Sequence, residues 1–355
     1  MISAQSRTPE WIMGIREVSR GKDPILIEKM IMALMLVEEL RLSGLDFIFK
    51  GGTSLLLLLG TPQRFSIDID ILVTERINPD EYFQAVLDKG VFHRIEENRR
   101  TGELPKQHYK FFFNSVIESK ESHILLDILF EENPYPRLQE VKLQSPLLST
   151  EGKSTKVTCP TVEGLLGDKL TAFAPHTTGI LFGADKELEI AKQLFDIGIL
   201  FDAATDLRLV GQAFENIAST QLAYRSLNKL TPVDVLHDAF DTACIIGMRG
   251  STSGDEYSEL SEGFKKLAAF VYSGYFSIDV AILCASKTAY LAALLLMREG
   301  FIRRFEKGQD IASWMVLNPD YNKLNKVKKT SPEAFFYYYR ALELMHLVDF
   351  GMLPL

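Results

Sequence analysis

The hydrophobic pattern of the chain changes near residue 158, and this change limits the folds that it can adopt. Up to that point, apolar segments with strand-like alternation, such as Ser66–Val73, occur between segments with helical spacing. Beyond it, the long apolar segments have helical spacing. Since 355 residues exceed what one hydrophobic core usually serves, we predict an α+β domain over residues 1–158 and an all-α domain over residues 159–355.

The predicted first domain is a mixed sheet with flanking helices that follows a polar arm at residues 1–22. Its helices are predicted at Pro24–Leu42, directly after the Gly51-Gly52 turn, and at Pro79–Lys89. Its strands are predicted at Phe47–Phe49, Ser66–Val73, Phe92–Arg100, His108–Val116, Ser122–Phe130 and Lys153–Val157. The helices of the second domain are predicted at Val162–Ala174, Lys186–Thr205, Leu207–Leu227, Pro232–Met248, Tyr257–Tyr272, Ile278–Arg298 and Pro332–Leu347.

Composition excludes several classes of protein. The 39 basic residues against 47 acidic ones give a net charge of −8, which argues against a protein that coats duplex nucleic acid. The three cysteines lie far apart without CxxC spacing, which excludes a disulfide framework and a zinc site of usual spacing. The N-terminal segment has no apolar signal core, and the longest apolar stretches are too short to span a bilayer. We therefore predict a soluble, cytoplasmic protein with no membrane partner.

Two aspartates on the predicted strand Ser66–Val73 are the first candidates for chemistry. Asp68 and Asp70 are two positions apart, so both carboxylates project from one face of the strand and repel each other. Such a pair on an edge strand can simply discourage aggregation. Two carboxylates on a rigid strand are also the ligands that Mg²⁺ uses when it holds nucleotide phosphates.

The segments before these aspartates favour the second interpretation. The turn Gly51–Ser54 offers unhindered backbone N–H groups and a helix N-terminus to phosphate oxygens. Arg64 and Ser66 stand directly ahead of the acidic pair. Together these segments predict a site for a metal ion and a nucleotide.

Asp127 is a third acidic candidate, because it is the only charged residue in the apolar run Ile124–Phe130. Buried carboxylates are rare unless they are paired or bind a metal. A neighbouring backbone group or arginine could satisfy this carboxylate. If its strand instead lies beside Ser66–Val73, the three acids would form a cluster able to hold two metal ions.

Two pairs of segments resemble a known family. KGGTSL from Lys50 and RFSIDID from Arg64 together look like the signature of the AbiEii/AbiGii toxin family of nucleotidyltransferases, within the DNA polymerase beta-like superfamily. LGDKLTAFA from Leu166 and KQLFD from Lys192 resemble the helical motif of that family, although Gln193 stands where the family commonly has an acid. The resemblance covers about residues 25–205.

The resemblance implies roles for particular residues. Gly52 and Ser54 would contact the phosphates of a nucleoside triphosphate, and Asp68 and Asp70 would bind Mg²⁺, or Mn²⁺ in its place. Lys169 would face the triphosphate, and Asp196 would complete the pocket. The candidate nucleotide-binding residues are Gly51, Gly52, Thr53, Ser54, Arg64, Ser66, Lys169 and Lys192. The candidate catalytic residues are Asp68, Asp70, Asp127, Lys169 and Asp196, of which the first three are also the candidate metal ligands.

The predicted function is the Mg²⁺-dependent transfer of a nucleoside monophosphate from a triphosphate to an acceptor. The family implies an RNA or tRNA acceptor, a toxin–antitoxin or abortive-infection context, and an antitoxin encoded nearby. A small-molecule or protein acceptor is an alternative, and so is a nucleotide-binding module without turnover. Because a triphosphate needs more positive charge than the first domain offers, we expect Lys169 and the helical domain to complete a cleft between the two domains.

A basic run near the C-terminus, from Arg303 to Lys329, bears on the choice of acceptor. It includes Trp314 and Tyr321 among its basic residues, as a surface that receives an RNA backbone would. A solvated helix face is the alternative interpretation.

Overall fold

The computed structural model describes residues 1–98, 106–272 and 274–349, which divide into two compact units. The first, an α+β unit, comprises Met1–Asn133, Arg137–Thr161 and Phe270–Gly274. The second, a helical unit, comprises Pro134–Pro136, Val162–Ala269 and Tyr275–Leu355. The predicted fold class, a mixed sheet with flanking helices and a helical C-terminal region, is confirmed.

The first unit contains a mixed sheet. Its helices are α1 (Pro9–Val18), α2 (Pro24–Leu42), α3 (Gly51–Leu58) and α4 (Asp80–Asp88). Its strands are β1 (Ile48–Lys50), β2 (Ile69–Val73), β3 (Arg94–Glu97), β4 (Lys106–Asn114), β5 (Glu121–Phe130), β6 (Leu138–Lys142) and β7 (Lys156–Pro160). The described residues form one seven-stranded sheet in the order β3-β4-β5-β2-β1-β7-β6. Strands β2 and β5 are parallel, as are β1 and β7, and the other neighbours are antiparallel.

The two faces of this sheet differ in character. Ile71, Leu126, Ile128 and Phe111 belong to the buried cluster that the sheet forms with residues of α1, α2 and α4. Because side chains alternate along a strand, the residues between them lie on the other face. That other face carries the polar candidates, beginning with Asp70.

Several predicted boundaries in this unit are wrong. Residues 1–22 are not a polar arm, because Thr8 caps α1 by accepting from the Trp11 N–H and the helix buries Ile12 and Ile15. Strand β6 lies in a segment for which no strand was predicted. The predicted strand Phe92–Arg100 is reduced to β3, and its last two positions lie outside the described residues.

The chain returns to the first unit after α9 (Gly254–Ala268), where the sequence predicted that a helix continues to Tyr272. The Phe65 N–H donates to the Phe270 carbonyl oxygen at 2.7 Å, and the Tyr272 N–H donates to the Gln63 carbonyl oxygen at 2.9 Å. These bonds hold the segment that leads into the aspartate pair, and β2 begins at Ile69 and not at Ser66.

The second unit is a helical assembly around one buried helix. Its helices besides α9 are α5 (Val162–Ala172), α6 (Glu187–Ala203), α7 (Leu207–Tyr224), α8 (Pro232–Gly247), α10 (Ile278–Leu296), α11 (Val327–Thr330) and α12 (Pro332–Leu344). Within the described part of the chain, α10 alone is long and apolar enough to cross a membrane by length and composition, and 72% of its most apolar window is buried. Packing against α6, α8 and α12 accounts for this apolar character.

Candidate active site

Four ionisable residues form one row across four neighbouring strands. The register pairs Lys50 of β1 with Asp70 of β2, and Asp70 with Asp127 of β5. It also pairs Asp127 with His108 of β4. Since directly paired residues share a face of the sheet, the row places a cation, two carboxylates and an imidazole on the face opposite the apolar core. We call these four residues the charged row.

The Asp70 carboxylate lies directly over the backbone of Gly51. A Cβ atom added to Gly51 would lie 2.8 Å from Asp70 Cγ and closer still to Oδ2. Gly51 also has a φ of +74°, a left-handed conformation that residues with a side chain rarely adopt. Both the backbone conformation and the available space therefore require glycine at the start of α3.

The absence of a side chain at Gly52 likewise leaves space for residues that precede β2. A Cβ atom there would lie 2.5 Å from Arg64 Nη2 and 2.8 Å from Ser66 Oγ. Arg64 is buried, and its Nη1 donates to the Phe65 carbonyl oxygen at 3.0 Å. The structure therefore brings a guanidinium and a hydroxyl against the first turn of α3.

The hydroxyl groups of Thr53 and Ser54 are used within the protein. Thr53 Oγ1 donates to the Asp68 carbonyl oxygen at 2.6 Å and hydrogen-bonds with Ser66 Oγ at 2.9 Å. Ser54 Oγ donates to the Gly51 carbonyl oxygen at 2.8 Å, and both residues are fully buried. The expected contact of Ser54 with phosphate is therefore not available to its side chain. The backbone N–H groups that open α3 remain suited to an anion, because a helix does not use them internally.

Asp127 has a different environment from the one that its sequence predicted. Residues at alternate positions of β5 are buried, but Asp127 is on the other face and its side chain is 30% exposed. His108 Nδ1 lies 2.7 Å from Asp127 Oδ1. The partner of this carboxylate is thus a histidine that the sequence analysis did not select, because only the strand register brings the two together.

The carboxylate oxygens of this region fit a divalent cation that also binds the phosphates of a substrate. Asp68 is exposed and Asp70 half-buried, and both offer the oxygen ligands that Mg²⁺ prefers. Over residues 1–98, 106–272 and 274–349, no group of three or more His, Cys, Asp or Glu side chains could hold a metal ion by itself. The structure therefore does not bring Asp68, Asp70 and Asp127 into a ready cluster of three carboxylates. Mg²⁺ commonly takes only one or two carboxylates and completes its shell with water and phosphate, so the smaller set still fits.

The second candidate segment forms a buried polar cluster between α5 and α6. Lys169 Nζ lies 3.1 Å from Asp196 Oδ2 and donates to Gln193 Oε1 at 3.0 Å. The side chains of Lys169 and Asp196 are only 9% and 1% exposed. Gln193, at the position where the family commonly has an acid, thus accepts a hydrogen bond from Lys169.

Lys192 lies on the same helix in a more ordinary environment. Its Nζ is 3.7 Å from Glu189 Oε1, and its side chain is 20% exposed. Asp196, one turn further along α6, has a salt bridge with Lys169 from the neighbouring helix.

The charged row beside a glycine-opened helix is an arrangement that can hold a metal ion and the phosphates of a nucleotide. The family model described as "Nucleotidyl transferase AbiEii toxin, Type IV TA system" matches residues 35–246, more than half of the chain. The chain therefore belongs to the AbiEii family, and the resemblance seen in its sequence is confirmed. Membership places it in a toxin–antitoxin context, with a nucleotide as substrate and an antitoxin as partner.

Solved structures with a similar arrangement come from Helicobacter pylori. The crystal structure of JHP933 is 15% identical with a TM-score of 0.44, and the match covers 84% of this chain and 96% of that one. The crystal structure of a candidate nucleotidyltransferase is 16% identical with a TM-score of 0.44, and the match covers 77% of this chain and 96% of that one. A search of curated proteins gives no match.

Proposed function

We propose that this protein transfers a nucleoside monophosphate from a nucleoside triphosphate to an RNA acceptor, with tRNA as the natural acceptor, in a reaction that depends on Mg²⁺. The observation that carries the proposal is the register of Asp70 with Asp127, next to a helix start that two glycines keep open. Membership in the AbiEii family supports the same reaction class.

The residues of the first unit divide into two roles. The N–H groups at the start of α3 would hold the triphosphate, with Arg64 and Ser66 against Gly52 as neighbouring donors. Asp68 and Asp70 would hold the metal ion, which when bound neutralises the phosphates and favours loss of pyrophosphate.

Asp127 is the residue that we assign to the acceptor. Its carboxylate would take the proton of the incoming hydroxyl, and His108 would hold it in the orientation that this transfer needs. Asp127 as a ligand of a second metal ion is the other role that its position allows.

Lys169 is the proposed source of positive charge in the helical unit. The family resemblance assigns it to the triphosphate, and its ammonium is held by Gln193 and Asp196. An ammonium fixed in this way is oriented before a substrate arrives, which lowers the cost of binding.

The decisive experiment follows labelled phosphate into the acceptor. The protein is incubated with each α-labelled nucleoside triphosphate, Mg²⁺, total RNA and a protein extract, and the fractions are then separated. We expect label in RNA, and in the tRNA fraction above the others, with loss of the signal when EDTA replaces Mg²⁺. Label in protein or in a small molecule would overturn the RNA acceptor, and no release of pyrophosphate in any mixture would overturn the reaction.

A matched pair of variants makes this experiment specific. Asp70→Asn removes one carboxylate of the charged row, whereas Asp46→Asn removes a highly exposed carboxylate from the same unit. Only the first should abolish labelling. Equal activity of the two variants would contradict the assignment of Asp70.

A further inference from the structure

The helical unit contains a cavity lined by three arginines, in a part of the chain that the family model does not match. Its volume is about 460 Å³. Its lining comprises Arg303, Arg304, Glu306, Gln309, Trp314, Phe336 and Arg340. We call it the arginine pocket. Its lining residues carry three guanidinium groups and one carboxylate, in a chain whose net charge is −8.

Two of the arginines retain buried donors that the protein does not use. Arg304 Nη2 donates to the Ala204 carbonyl oxygen at 2.8 Å, but its Nη1 is buried without a hydrogen-bond partner among the described residues and lies 3.8 Å from Asp202 Oδ1. Arg340 Nη1 pairs with Glu343, whereas Arg340 Nε is buried and has no such partner in the described part of the chain. Buried donors of this kind are costly, and both arginines that carry them line the pocket.

An aromatic wall forms another side of the arginine pocket. The Trp314 ring stacks on Phe336, with centroids 5.7 Å apart and an angle of 26°, and its centroid is 4.7 Å from that of Tyr339. Lys328 Nζ donates to the carbonyl oxygens of Ala312 and Trp314, so it holds the turn that carries the tryptophan. Lys328 of the basic run is thus structural, and the wall is fixed before any ligand binds.

We propose that the arginine pocket binds one nucleotide unit of a single-stranded RNA, with the phosphate on the three arginines and the base against Trp314. Guanidinium groups match phosphate oxygens in geometry, and an aromatic ring accepts any base by stacking. The choice of RNA rests on the acceptor in the proposed function. A free nucleotide has the same chemistry, but the exposed lysines Lys307, Lys323, Lys326 and Lys329 near the pocket in sequence favour a ligand with several phosphates.

The test measures binding and not turnover. A fluorescein-labelled 12-nucleotide RNA without secondary structure is titrated with the full chain, and its anisotropy gives the dissociation constant at several salt concentrations. Arg303→Gln is the first variant, because Arg303 lines the pocket and is exposed. Its guanidinium carbon lies 5.4 Å from the centroid of the Phe301 ring. We expect about tenfold weaker binding and a salt dependence reduced by about one ion.

A control variant separates the pocket from general surface charge. Lys307→Gln makes the same change in charge at an exposed residue that does not line the pocket, and it should change affinity by less than about twofold. Trp314→Leu should weaken binding by about tenfold, because one stacking contact is lost. Equal losses in Arg303→Gln and Lys307→Gln would mean diffuse attraction and would overturn the proposal.

Two further arms identify the ligand. AMP and inorganic phosphate are added as competitors, and we expect them to displace the RNA only at far higher concentrations than an unlabelled strand. Displacement by AMP at the same concentration as the strand would make this a site for free nucleotides and would also overturn the proposal.

The two proposals fail separately in this design. Asp70→Asn should lose transfer and keep RNA binding, so a protein without transferase activity still gives a result for the pocket. If Arg303→Gln and Trp314→Leu bind RNA as the parent protein does, and transfer to RNA is unchanged, the proposal for the pocket alone would be overturned. Thermal melting of each variant confirms that it is folded.

Discussion

The Asp70 carboxylate packs against the Cα atom of Gly51, so the acidic residue and the glycine of the two sequence segments are in direct contact. The contact explains why the segments occur together although 18 residues separate the two positions. A side chain at position 51 would displace the carboxylate that we assign to the metal ion. The glycine thus serves the geometry of the acid as well as the turn.

Gly51→Ala should therefore remove activity beyond its effect on stability. The left-handed φ alone should cost about 1–2 kcal/mol of folding free energy. The new methyl group would in addition collide with Asp70, so nucleotide transfer should fall by about a hundredfold or more. Gly60→Ala is the matched control, because Gly60 has a φ of +72° and open space around it. Similar activity of both variants would show that the contact with Asp70 does not matter.

Removal of either Asp68, which directly precedes β2, or Asp70 should abolish transfer while leaving the fold intact. Asp68→Asn and Asp70→Asn each take away one oxygen ligand from the proposed metal site, and we expect the turnover number to fall about a thousandfold. Thermal stability should stay equal or rise, because one of two like charges is gone. The check is pyrophosphate release across a Mg²⁺ titration, together with a melting curve. A variant with nearly unchanged turnover would remove that residue from the site.

His108→Gln should lower turnover without changing the affinity for nucleotide. The imidazole contacts Asp127 and not the helix start, so its loss should reduce the turnover number by about ten- to a hundredfold with a constant KM for the triphosphate. His123→Gln serves as the control, because it removes an imidazole of β5 that lies on the same face of the sheet as Asp127. A raised KM with normal turnover would place His108 in nucleotide binding instead.

Local sequence patterns predicted many elements of the first unit and selected most of its candidate site residues. The alternation around Asp70 and the Gly51-Gly52 turn were sufficient to select the glycines and the strand acids, because each signal lies within a few residues. The pairing of His108 with Asp127 was not accessible, since it depends on the register of β4 with β5. The return of Phe270 to the first unit is another long-range pairing that no local period indicates.

In the helical unit too, the sequence did not indicate which side chains contact each other. Lys169 and Asp196 were selected from a family motif. The salt bridge of Asp196 with Lys169 arises because α5 and α6 pack together, and packing between helices leaves no fixed spacing in the sequence. The sequence therefore selected both residues without indicating that they contact each other.

Lys169→Met tests whether that buried pair is more than structural. Removing one partner of a buried ion pair should cost about 3–5 kcal/mol of folding free energy, and nucleotide affinity should also fall if the ammonium faces the triphosphate. Lys287→Met is the control, because Lys287 is equally buried and pairs with Asp202 at 2.7 Å in the same unit. Calorimetric titration with a non-hydrolysable triphosphate at a temperature where both variants are folded gives the answer. Equal nucleotide affinity of the two variants would limit Lys169 to a structural role.

His176 connects three parts of the helical unit through acidic partners. Its Nδ1 lies 2.7 Å from Asp238 Oδ1 of α8, and its Nε2 lies 2.8 Å from Glu256 Oε1 of α9. Burial alone would lower the pKa of His176, but the hydrogen bonds to Asp238 and Glu256 outweigh it and raise the pKa above its ordinary value of 6.5.

The stability of the helical unit should consequently decrease as the pH rises from neutral. A raised pKa means that the folded state holds the proton more tightly, so this contribution is complete below pH 6.5 and is lost as the pH passes the pKa of the folded state. In His176→Gln that decrease should be absent, and the melting temperature should be lower than in the parent protein at pH 6 and similar at pH 9. His237→Gln, at an exposed position of α8, is the control and should keep the pH dependence of the parent. A decrease of equal size in His176→Gln would assign the effect to other groups.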